Sequence, residues 1–438
     1  MTAPTGMCTV LTHPQRELAR ARAQRGSVGL VAHAQTRSPQ HMSTTTIRVR
    51  EPRELLALLP YQLGFQPHES AVAVSLRPPR GRVGLVARVD LADLGDPANG
   101  PGIARALVSH LAADGARTAV LVVYTLGDPR ALDDARALDD DGGRLARAAA
   151  VHFRGAAEPF LGDVPVWVVA RDGYLALDCV DLDCCPPGGR PLRELESTVV
   201  GAHMVLAGAL VEDTRDDLVR IPTVAAAARR NAVRVAERSR TRRAIAQERG
   251  PADLGRWRAA GLAAWRAAVT EAHGGAAHPS PAVLGRIAAA LGDVAVRDAV
   301  LLALVAGTGD LPERSIEGAG GDVEHQTSDA LGRVLDPSRG APPDDDVVAA
   351  GAVVLERVVA HSGGSHQAAP LTMLALLAWW QADGPRAGVL LERALASDPT
   401  HRLGRLLAEA LAAGLAPGWI GRADGTARKR PPSSGTVG

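Results

Sequence analysis

The loop at residues 61–70 brings several side chains suited to chemistry together in the sequence. His68, Glu69 and Ser70 offer an imidazole, a carboxylate and a hydroxyl in succession, and Tyr61 stands at the start of the loop. Imidazoles and carboxylates exchange protons near neutral pH, and oxygen groups are also ligands of hard divalent cations. The segment is therefore a candidate for ligand binding or acid–base work. The alternative is structural, with Tyr61 in the core and with Glu69 and Ser70 in a solvated turn.

Strand patterns around this loop predict which other side chains lie near it. Residues 71–76 and 82–91 alternate apolar and polar residues and are joined by turn residues, which predicts an antiparallel hairpin. If 82–91, 118–124 and 164–170 are parallel strands, their carboxyl ends meet at the edge where 71–76 begins, and ligands usually bind at such an edge. The side chains expected at this carboxyl edge are Tyr61, His68, Glu69, Ser70, Asp90, Thr125, Asp128 and Arg171. A helix cap is the simpler role for Asp128.

A cysteine-rich segment forms a second cluster. Cys179, Cys184 and Cys185 fall within seven residues, and three thiolates can hold zinc with His152 or His203 as a fourth ligand. The spacing differs from the usual C-x2-C, and adjacent cysteines rarely coordinate one tetrahedral ion. A structural turn of small, buried thiols is therefore favoured, with zinc or redox chemistry as the alternative. The predicted strand before the cysteines leads to the opposite edge of the sheet, away from the first cluster.

Charge and lysine content exclude several classes of function. The chain has 49 basic and 48 acidic residues, a net charge of +1, and Lys429 is its single lysine. A P-loop or a Schiff-base mechanism needs a lysine in the folded core, so neither is available. The segment 229–249 holds eight arginines, but only 3% of the chain is aromatic and no helix-turn-helix or zinc-finger pattern accompanies it. A solvated helix face is favoured over binding to nucleic acid.

The sequence predicts a cytoplasmic protein. No apolar run reaches the roughly 18 residues of a membrane span, and the first residues lack the pattern of a secretory signal. Four cysteines in 438 residues are too few for a disulfide framework. Residues 1–41 contain five arginines and one acidic residue, and we interpret them as a disordered leader or as the product of a misplaced start codon. Met42, directly before the first patterned segment, is the alternative start.

The periodicity of the chain predicts two kinds of architecture. Residues 42–190 alternate strand-like and helix-like segments, which predicts an α/β domain with a mixed, partly parallel sheet. From residue 191 onward the pattern is helical, and residues 387–399, which another amphipathic helix follows, resemble the second helix and turn of a tetratricopeptide repeat. One such unit predicts a local hairpin rather than a solenoid. The predicted divisions are a helical region at 191–306, a linker at 307–346, helical hairpins at 347–420 and a disordered tail at 421–438.

Two loop motifs match a family pattern. The first motif is Leu58-Leu59-Pro60-Tyr61-Gln62-Leu63-Gly64-Phe65-Gln66-Pro67-His68-Glu69-Ser70, and Ala87-Arg88-Val89-Asp90-Leu91 follows it in the chain. The second motif is Cys184-Cys185-Pro186-Pro187-Gly188. They resemble the actinobacterial family called domain of unknown function 4192, and the resemblance spans about residues 46–419. Members usually begin shortly before the equivalent of Ile47, which favours Met42 as the start. The resemblance implies no activity, so no catalytic residue is transferred from it.

Two classes of function are compatible with the sequence. The favoured one is a module that binds a ligand or a protein partner, with the partner on the helical region. The alternative is a small-molecule hydrolase or transferase that uses a divalent cation at the carboxyl edge, with His68, Glu69 and Asp90 as its groups. No HExxH, GxSxG or EF-hand motif is present, and the sequence identifies no cofactor.

Overall fold

The chain, described by a computed structural model, forms two compact units. One unit comprises Met1–Val219 with Glu409–Leu415, and the other comprises Arg220–Ala408 with Ala416–Gly438. The first contains the sheet, and the second is helical. The residues that the structure describes are 29–31, 51–78, 82–127, 141–186, 188–274, 279–318 and 320–420.

One mixed sheet organises the first unit. Its strands are β1 (Gly29–Val31), β2 (Ser70–Arg77), β3 (Arg82–Asp90), β4 (Thr118–Tyr124), β5 (Val166–Val169), β6 (Gly173–Ala176) and β7 (Arg190–Pro191). Their order is β1-β3-β2-β4-β5-β6-β7, so six strands between residues 70 and 191 are joined by β1 at the outer edge, within the segment predicted as a leader. Strand β2 is antiparallel to β3 and β4, whereas β4 and β5 are parallel. The predicted mixed, partly parallel sheet is confirmed.

Helices cover both faces of this sheet. They are α1 (Pro52–Leu63), α2 (Leu91–Gly95), α3 (Gly100–Ala113), α4 (Asp141–Leu161), α5 (Arg193–Glu196) and α6 (Val199–Leu206). Leu59 of α1 packs with Val122 on one face, and Leu107 of α3 and Phe153 of α4 pack with Leu121 on the other. Because both faces are covered, the central strands are apolar on both sides, as in other layered α/β sheets.

Two helices run further than predicted. The sequence pattern predicts a helix at 51–59 that Pro60 closes, but α1 continues to Leu63. The proline removes one backbone hydrogen bond close to the end of the helix, and the helix ends when Gly64 adopts a left-handed φ of 76° and donates its N–H to the Pro60 carbonyl at 2.8 Å. The pattern also predicts a helix at 129–150. Residues 129–140 lie outside the described residues, and α4 continues past Pro159 to Leu161.

The first unit extends beyond the domain boundary predicted at residue 190. Helices α5 and α6 both contact α1. Val200 and Met204 of α6 form a small apolar cluster with Leu58 of α1, so this segment belongs to the core of the first unit. The main segment of the first unit therefore ends at Val219, after a 3-10 turn at Arg215–Leu218.

The second unit packs helices from both sides of the predicted linker together. Its helices are α7 (Ala226–Arg249), α8 (Pro251–His273), α9 (Pro281–Ala290), α10 (Val294–Ala303), α11 (Leu311–Glu317), α12 (Gly321–Leu335), α13 (Asp345–His361), α14 (Ala368–Trp380), α15 (Gly384–Ser397) and residues 402–408 of α16 (Arg402–Ala412). Helix α13 contacts α8 and α9, so the two predicted helical regions form one unit. Across the described residues, no helix has the length and apolar content that a membrane span requires.

The segment 307–346, predicted to be an irregular linker with at most one helix near 329–335, is largely helical. It contains α11 and α12, which contact each other. Its glycine, proline and aspartate content suggested irregular structure, but Pro312 occupies the first turn of α11 and Asp322 the first turn of α12. These residue types stabilise the start of a helix. The prediction of a linker is corrected on this ground.

Candidate functional site

The carboxyl edge of the sheet brings together four of the residues expected there. Ser70, at the start of β2, pairs with Asp90 on one side and with Tyr124 on the other. Thr125 therefore follows β4 beside Ser70, and Glu69 precedes Ser70 at the same edge. The shared direction of β3, β4 and β5 produces this arrangement, as the strand patterns predict.

A buried network joins the ends of β2 and β3. The Ser70 hydroxyl is fully buried; it donates to the His68 carbonyl at 2.6 Å and accepts a hydrogen bond from Arg88 Nε at 2.9 Å. Arg88 is itself buried, and its Nη2 lies 2.5 Å from Asp90 Oδ1. Because the hydroxyl is engaged as donor and as acceptor, Ser70 orients Arg88 and is not placed as a nucleophile.

Glu69 fixes the loop before β2 to the end of β4. Its carboxylate Oε1 accepts hydrogen bonds from the Leu126 backbone N–H at 2.7 Å and from Thr125 Oγ1 at 3.3 Å. Its φ of 38° lies in the left-handed region, which is strained for a residue with a side chain. Its carbonyl also accepts from the Leu91 N–H at 2.9 Å. Glu69 therefore ties the ends of three strands together.

Acidic side chains accumulate after β3. Burial raises the pKa of the Asp93 carboxyl, and the neighbouring charges of Asp90 and Asp96 raise it further, against the opposing effect of Arg88. Burial also raises the pKa of the Tyr124 phenol far above its usual range, and its hydroxyl has no hydrogen-bond partner among the described residues. Burial and the neighbouring carboxylates therefore disfavour the ionised form of Asp93 at this edge.

The other predicted edge residues are placed differently. Tyr61 packs beside Leu58, Val200 and Met204, between α1 and α6, and so belongs to an apolar cluster. His68 is exposed next to the network, and Arg171 is exposed in the turn after β5. Asp128 lies outside the described residues.

The three cysteines converge in the loop between β6 and β7. Their Sγ atoms all lie within 4.8 Å of one another, and the Cys184 and Cys185 sulfurs are 3.9 Å apart. Cys185 is fully buried, whereas Cys184 is exposed, and none of the three is in a disulfide. In the part of the chain that the structure describes, this is the one group of three potential metal ligands, and it includes neither His152 nor His203. Among the described residues of the carboxyl edge, no such group is found.

Backbone contacts hold this cysteine loop in shape. The Asp181 carbonyl accepts from the Cys185 N–H at 2.8 Å, and its carboxylate accepts from the Asp183 N–H at 2.9 Å. Gly189 has a φ of 81° and approaches β6 so closely that a Cβ there would lie 2.8 Å from the Tyr174 carbonyl oxygen. The Cys-Cys-Pro-Pro-Gly-Gly sequence is therefore matched to a loop that folds back on the sheet.

The thiols differ in acidity. A hydrogen bond with the Asp181 backbone lowers the pKa of Cys179, and one with Cys185 lowers it further. Hydrogen bonds with Cys185 and Cys179, together with their charges, raise the pKa of Cys184 to about 11. The three sulfurs thus interact strongly with one another.

A groove in the helical unit was not predicted from the sequence. It has a volume of about 790 Å³ and lies between α10 and α12. Three apolar side chains in it are unusually open to solvent: Val294 is 58% exposed, Leu331 39% and Leu335 56%. The available signal was the four-residue spacing of Val323, Thr327, Leu331 and Leu335, which places them on one face of a helix.

At the rim of this groove, two arginines are closely paired with carboxylates, whereas the carboxylate of Asp298 lies further from its nearest arginine. Arg258 Nε lies 3.0 Å from Asp293 Oδ1, and Arg339 Nη1 lies 2.7 Å from Asp329 Oδ1. Asp298 instead has Arg297 Nε at 3.6 Å. Partial desolvation raises the pKa of the Asp298 carboxyl. A positive group entering the groove would relieve this unfavourable environment.

Comparison with protein families identifies most of this chain. The model of the family described as Domain of unknown function (DUF4192) matches residues 52–314 and 340–418. The chain belongs to this family. The resemblance seen in the two loop motifs is thereby confirmed. No curated protein and no solved structure matches the chain.

The candidate sites differ in whether they lie inside the ranges that match DUF4192. The carboxyl edge and the cysteine loop lie inside the matched ranges, as does α10. Helix α12 falls in the gap between residues 314 and 340. One wall of the groove therefore lies outside the DUF4192 pattern.

Proposed function

We propose that the protein is a protein-interaction module whose groove between α10 and α12 binds an amphipathic, basic helix of a partner. The proposal rests on the exposure of Val294, Leu331 and Leu335 in a groove of about 790 Å³. Exposed apolar side chains collected in a concave surface are typical of recognition sites, and a partner helix can bury them by laying its own apolar face in the groove.

The dimensions of the groove suit a helix. Helix α12 has 15 residues, which corresponds to about 22 Å at a rise of ~1.5 Å per residue. Leu331 and Leu335 are one turn apart on the same face of α12, so a partner helix with apolar residues at successive turns can contact both. A segment of about four turns would match the length of this wall.

Charge selects a basic partner. Arg258 and Arg339 already have carboxylate partners, whereas Asp298 is 57% exposed and Glu324 is exposed on α12. Lysine or arginine side chains flanking the apolar face of a partner would meet these two carboxylates. Such rim charges contribute mainly to specificity and association rate.

The catalytic alternative is less well supported by the geometry. The Ser70 hydroxyl is buried and bonded to Arg88, and Asp90 is paired with the same arginine. A hydrolase or transferase with a divalent cation at this edge stays a prediction. The tetratricopeptide-like character of the late helical hairpin also stays a prediction, and the proposed groove does not depend on it.

The test uses the full chain and a synthetic helical peptide of roughly 15 residues, with leucines on one face and arginines beside them. Fluorescence anisotropy is expected to show saturable binding tighter than about 1 mM. A peptide of the same pattern with glutamates in place of the arginines is expected to bind more weakly.

Two variants at side chains of similar solvent exposure distinguish binding in the groove from non-specific hydrophobic binding. Leu331→Glu, at a side chain that is 39% exposed in the groove, is expected to weaken binding about tenfold or more. Ile245→Glu, at a side chain that is 42% exposed on α7, is expected to leave it unchanged. Absence of binding to the unmodified chain, or equal loss in both variants, would refute the proposal.

A further inference from the structure

The cysteine loop carries an inference that is independent of the groove. We propose that Cys179, Cys184 and Cys185 bind one zinc ion through their three sulfurs. Zinc–sulfur bonds of about 2.3 Å place the sulfurs of a tetrahedral site about 3.8 Å apart. The Cys184 and Cys185 sulfurs are 3.9 Å apart, and all three sulfurs lie within 4.8 Å of one another. Closing the set around one ion therefore needs only small side-chain movements.

The fold, and not sequence adjacency alone, assembles this set. Cys179 leaves the end of β6, with its N–H bonded to the Ala176 carbonyl at 3.1 Å. Cys184 and Cys185 return in a turn that is closed by the bond from the Cys185 N–H to the Asp181 carbonyl. The turn places two adjacent cysteines and a third one, five positions earlier, on the same side. The spacing of the cysteines in the sequence does not reveal this convergence of their sulfurs, and for that reason it favours a structural turn over a zinc site.

The proposed zinc site combines a buried cysteine with one that is exposed to solvent. Cys185 is fully buried against the apolar core on the α3 and α4 face, with Cys179 packed at its margin. Cys184 is exposed, so an ion can reach the sulfurs from solvent. Among the described residues, no histidine or carboxylate joins the group, so water from the solvent completes four-coordination.

Binding forms three Zn–S bonds and breaks up to three S–H bonds. The thiol protons pass to solvent, the zinc stays divalent, and no oxidant or reductant is involved. Zinc is the ion of choice because thiolates are soft ligands and zinc accepts a tetrahedral arrangement without a preference from d electrons.

The experiment measures zinc binding by the full, untagged chain, kept reduced and stripped of metal. Titration with zinc against a chromophoric chelator is expected to show about one equivalent bound per chain, and cobalt substitution is expected to show thiolate charge-transfer absorption with intense tetrahedral bands. Cys184→Ser and Cys179→Ser are each expected to weaken zinc binding by more than about 100-fold, because loss even of an outer partner costs about 10–100-fold.

Cys8→Ser is the control, because Cys8 is the fourth cysteine of the chain and is not one of the three proposed ligands. It is expected to bind zinc as the unmodified chain does. Mass spectrometry after alkylation supplies a second readout: zinc is expected to protect the exposed Cys184, and a chelator to restore its reaction. Circular dichroism of the metal-stripped variants checks that each is folded.

Two results would overturn the zinc site. One is failure of the folded, reduced chain to bind zinc tightly or to protect Cys184. The other is undiminished binding in a triple variant in which Cys179, Cys184 and Cys185 are all serine, since binding would then belong to other groups. Both results leave the peptide groove untouched, so the two proposals fail separately.

Discussion

Asp293 is expected to be one of the most stabilising polar residues of the helical unit. Its side chain is 1% exposed and caps α10, where it accepts from the Ala295 N–H at 3.1 Å. Arg243 of α7 donates to it at 2.8 Å, and Arg258 of α8 lies 3.0 Å away. One carboxylate thus joins three helices, including the wall of the groove formed by α10.

The structure gives a magnitude for Asp293→Ala. Loss of a helix cap costs about 1 kcal/mol. A hydrogen bond to a charged group contributes about 1.5–3 kcal/mol when buried. Because the Arg243 and Arg258 side chains are 35% and 26% exposed, they recover hydration in the variant, and we discount their two interactions to about 2 kcal/mol together. The expected loss in the free energy of unfolding is about 3 kcal/mol.

Urea denaturation followed by far-UV circular dichroism measures this loss. Asp344→Ala is the matched control, because Asp344 caps α13 by accepting from the Val347 N–H at 3.2 Å and is exposed. The control is expected to lose about 1 kcal/mol or less. If both variants lose the same amount, the arginines add nothing beyond the cap, and the reasoning is refuted.

The pH dependence of the same variant has a defined sign. Burial alone raises the pKa of the Asp293 carboxyl, but hydrogen bonds from Arg243 and Arg258 outweigh it, so the folded-state pKa is lowered. Its contribution is therefore complete above the unfolded value of about 3.9 and is lost as the pH falls through the lower folded value. The stability difference between the unmodified chain and Asp293→Ala is expected to narrow only below about pH 4.

Three further substitutions test the packing by the same denaturation assay. Ser70→Ala is expected to cost about 1–3 kcal/mol, because Arg88 Nε is left without its buried acceptor, and a neutral result would contradict the network. Tyr124→Phe is expected to be neutral or stabilising by up to about 1 kcal/mol, since the hydroxyl lacks a partner among the described residues; a clear loss would reveal one. Gly285→Ala is expected to cost about 1–3 kcal/mol, because its Cβ would lie 2.2 Å from the Ala232 carbonyl oxygen, and an unchanged midpoint would contradict this close approach of α7 and α9.

The sheet and its carboxyl edge were largely predictable. The apolar run Thr118–Tyr124 predicts a central strand, and the structure has β4 at the same residues. The turn between 77 and 82 makes β2 antiparallel to β3, which fixes where Ser70 and Asp90 lie. Strand direction follows from such local signals. Side-chain hydrogen bonds and ion pairs cannot be predicted from these signals, because the pairing of Arg88 with Ser70 and Asp90 depends on strand register and on which face each side chain occupies.

The predictions that differ from the structure have physical explanations. Pro60 was interpreted as a helix end, but the cost of one lost hydrogen bond near a terminus is small enough for α1 to continue. The composition of 307–346 suggested a linker because glycine, proline and aspartate serve helix starts as well as loops. The groove was not predicted either, since the sequence pattern indicates at most one short helix near 329–335, and this omits the first two turns of α12.

The two proposed sites lie differently with respect to the ranges that match the family. The residues of the cysteine loop and of the carboxyl edge fall within 52–314, the longer of the two ranges that match the family. The groove combines α10, which is inside that range, with α12, which lies between the two ranges. A segment between matched ranges can vary in length without disturbing the shared core, because insertions at a surface are tolerated. The proposed partner would therefore contact a segment that the family model does not match, whereas the proposed zinc ligands lie inside a matched range.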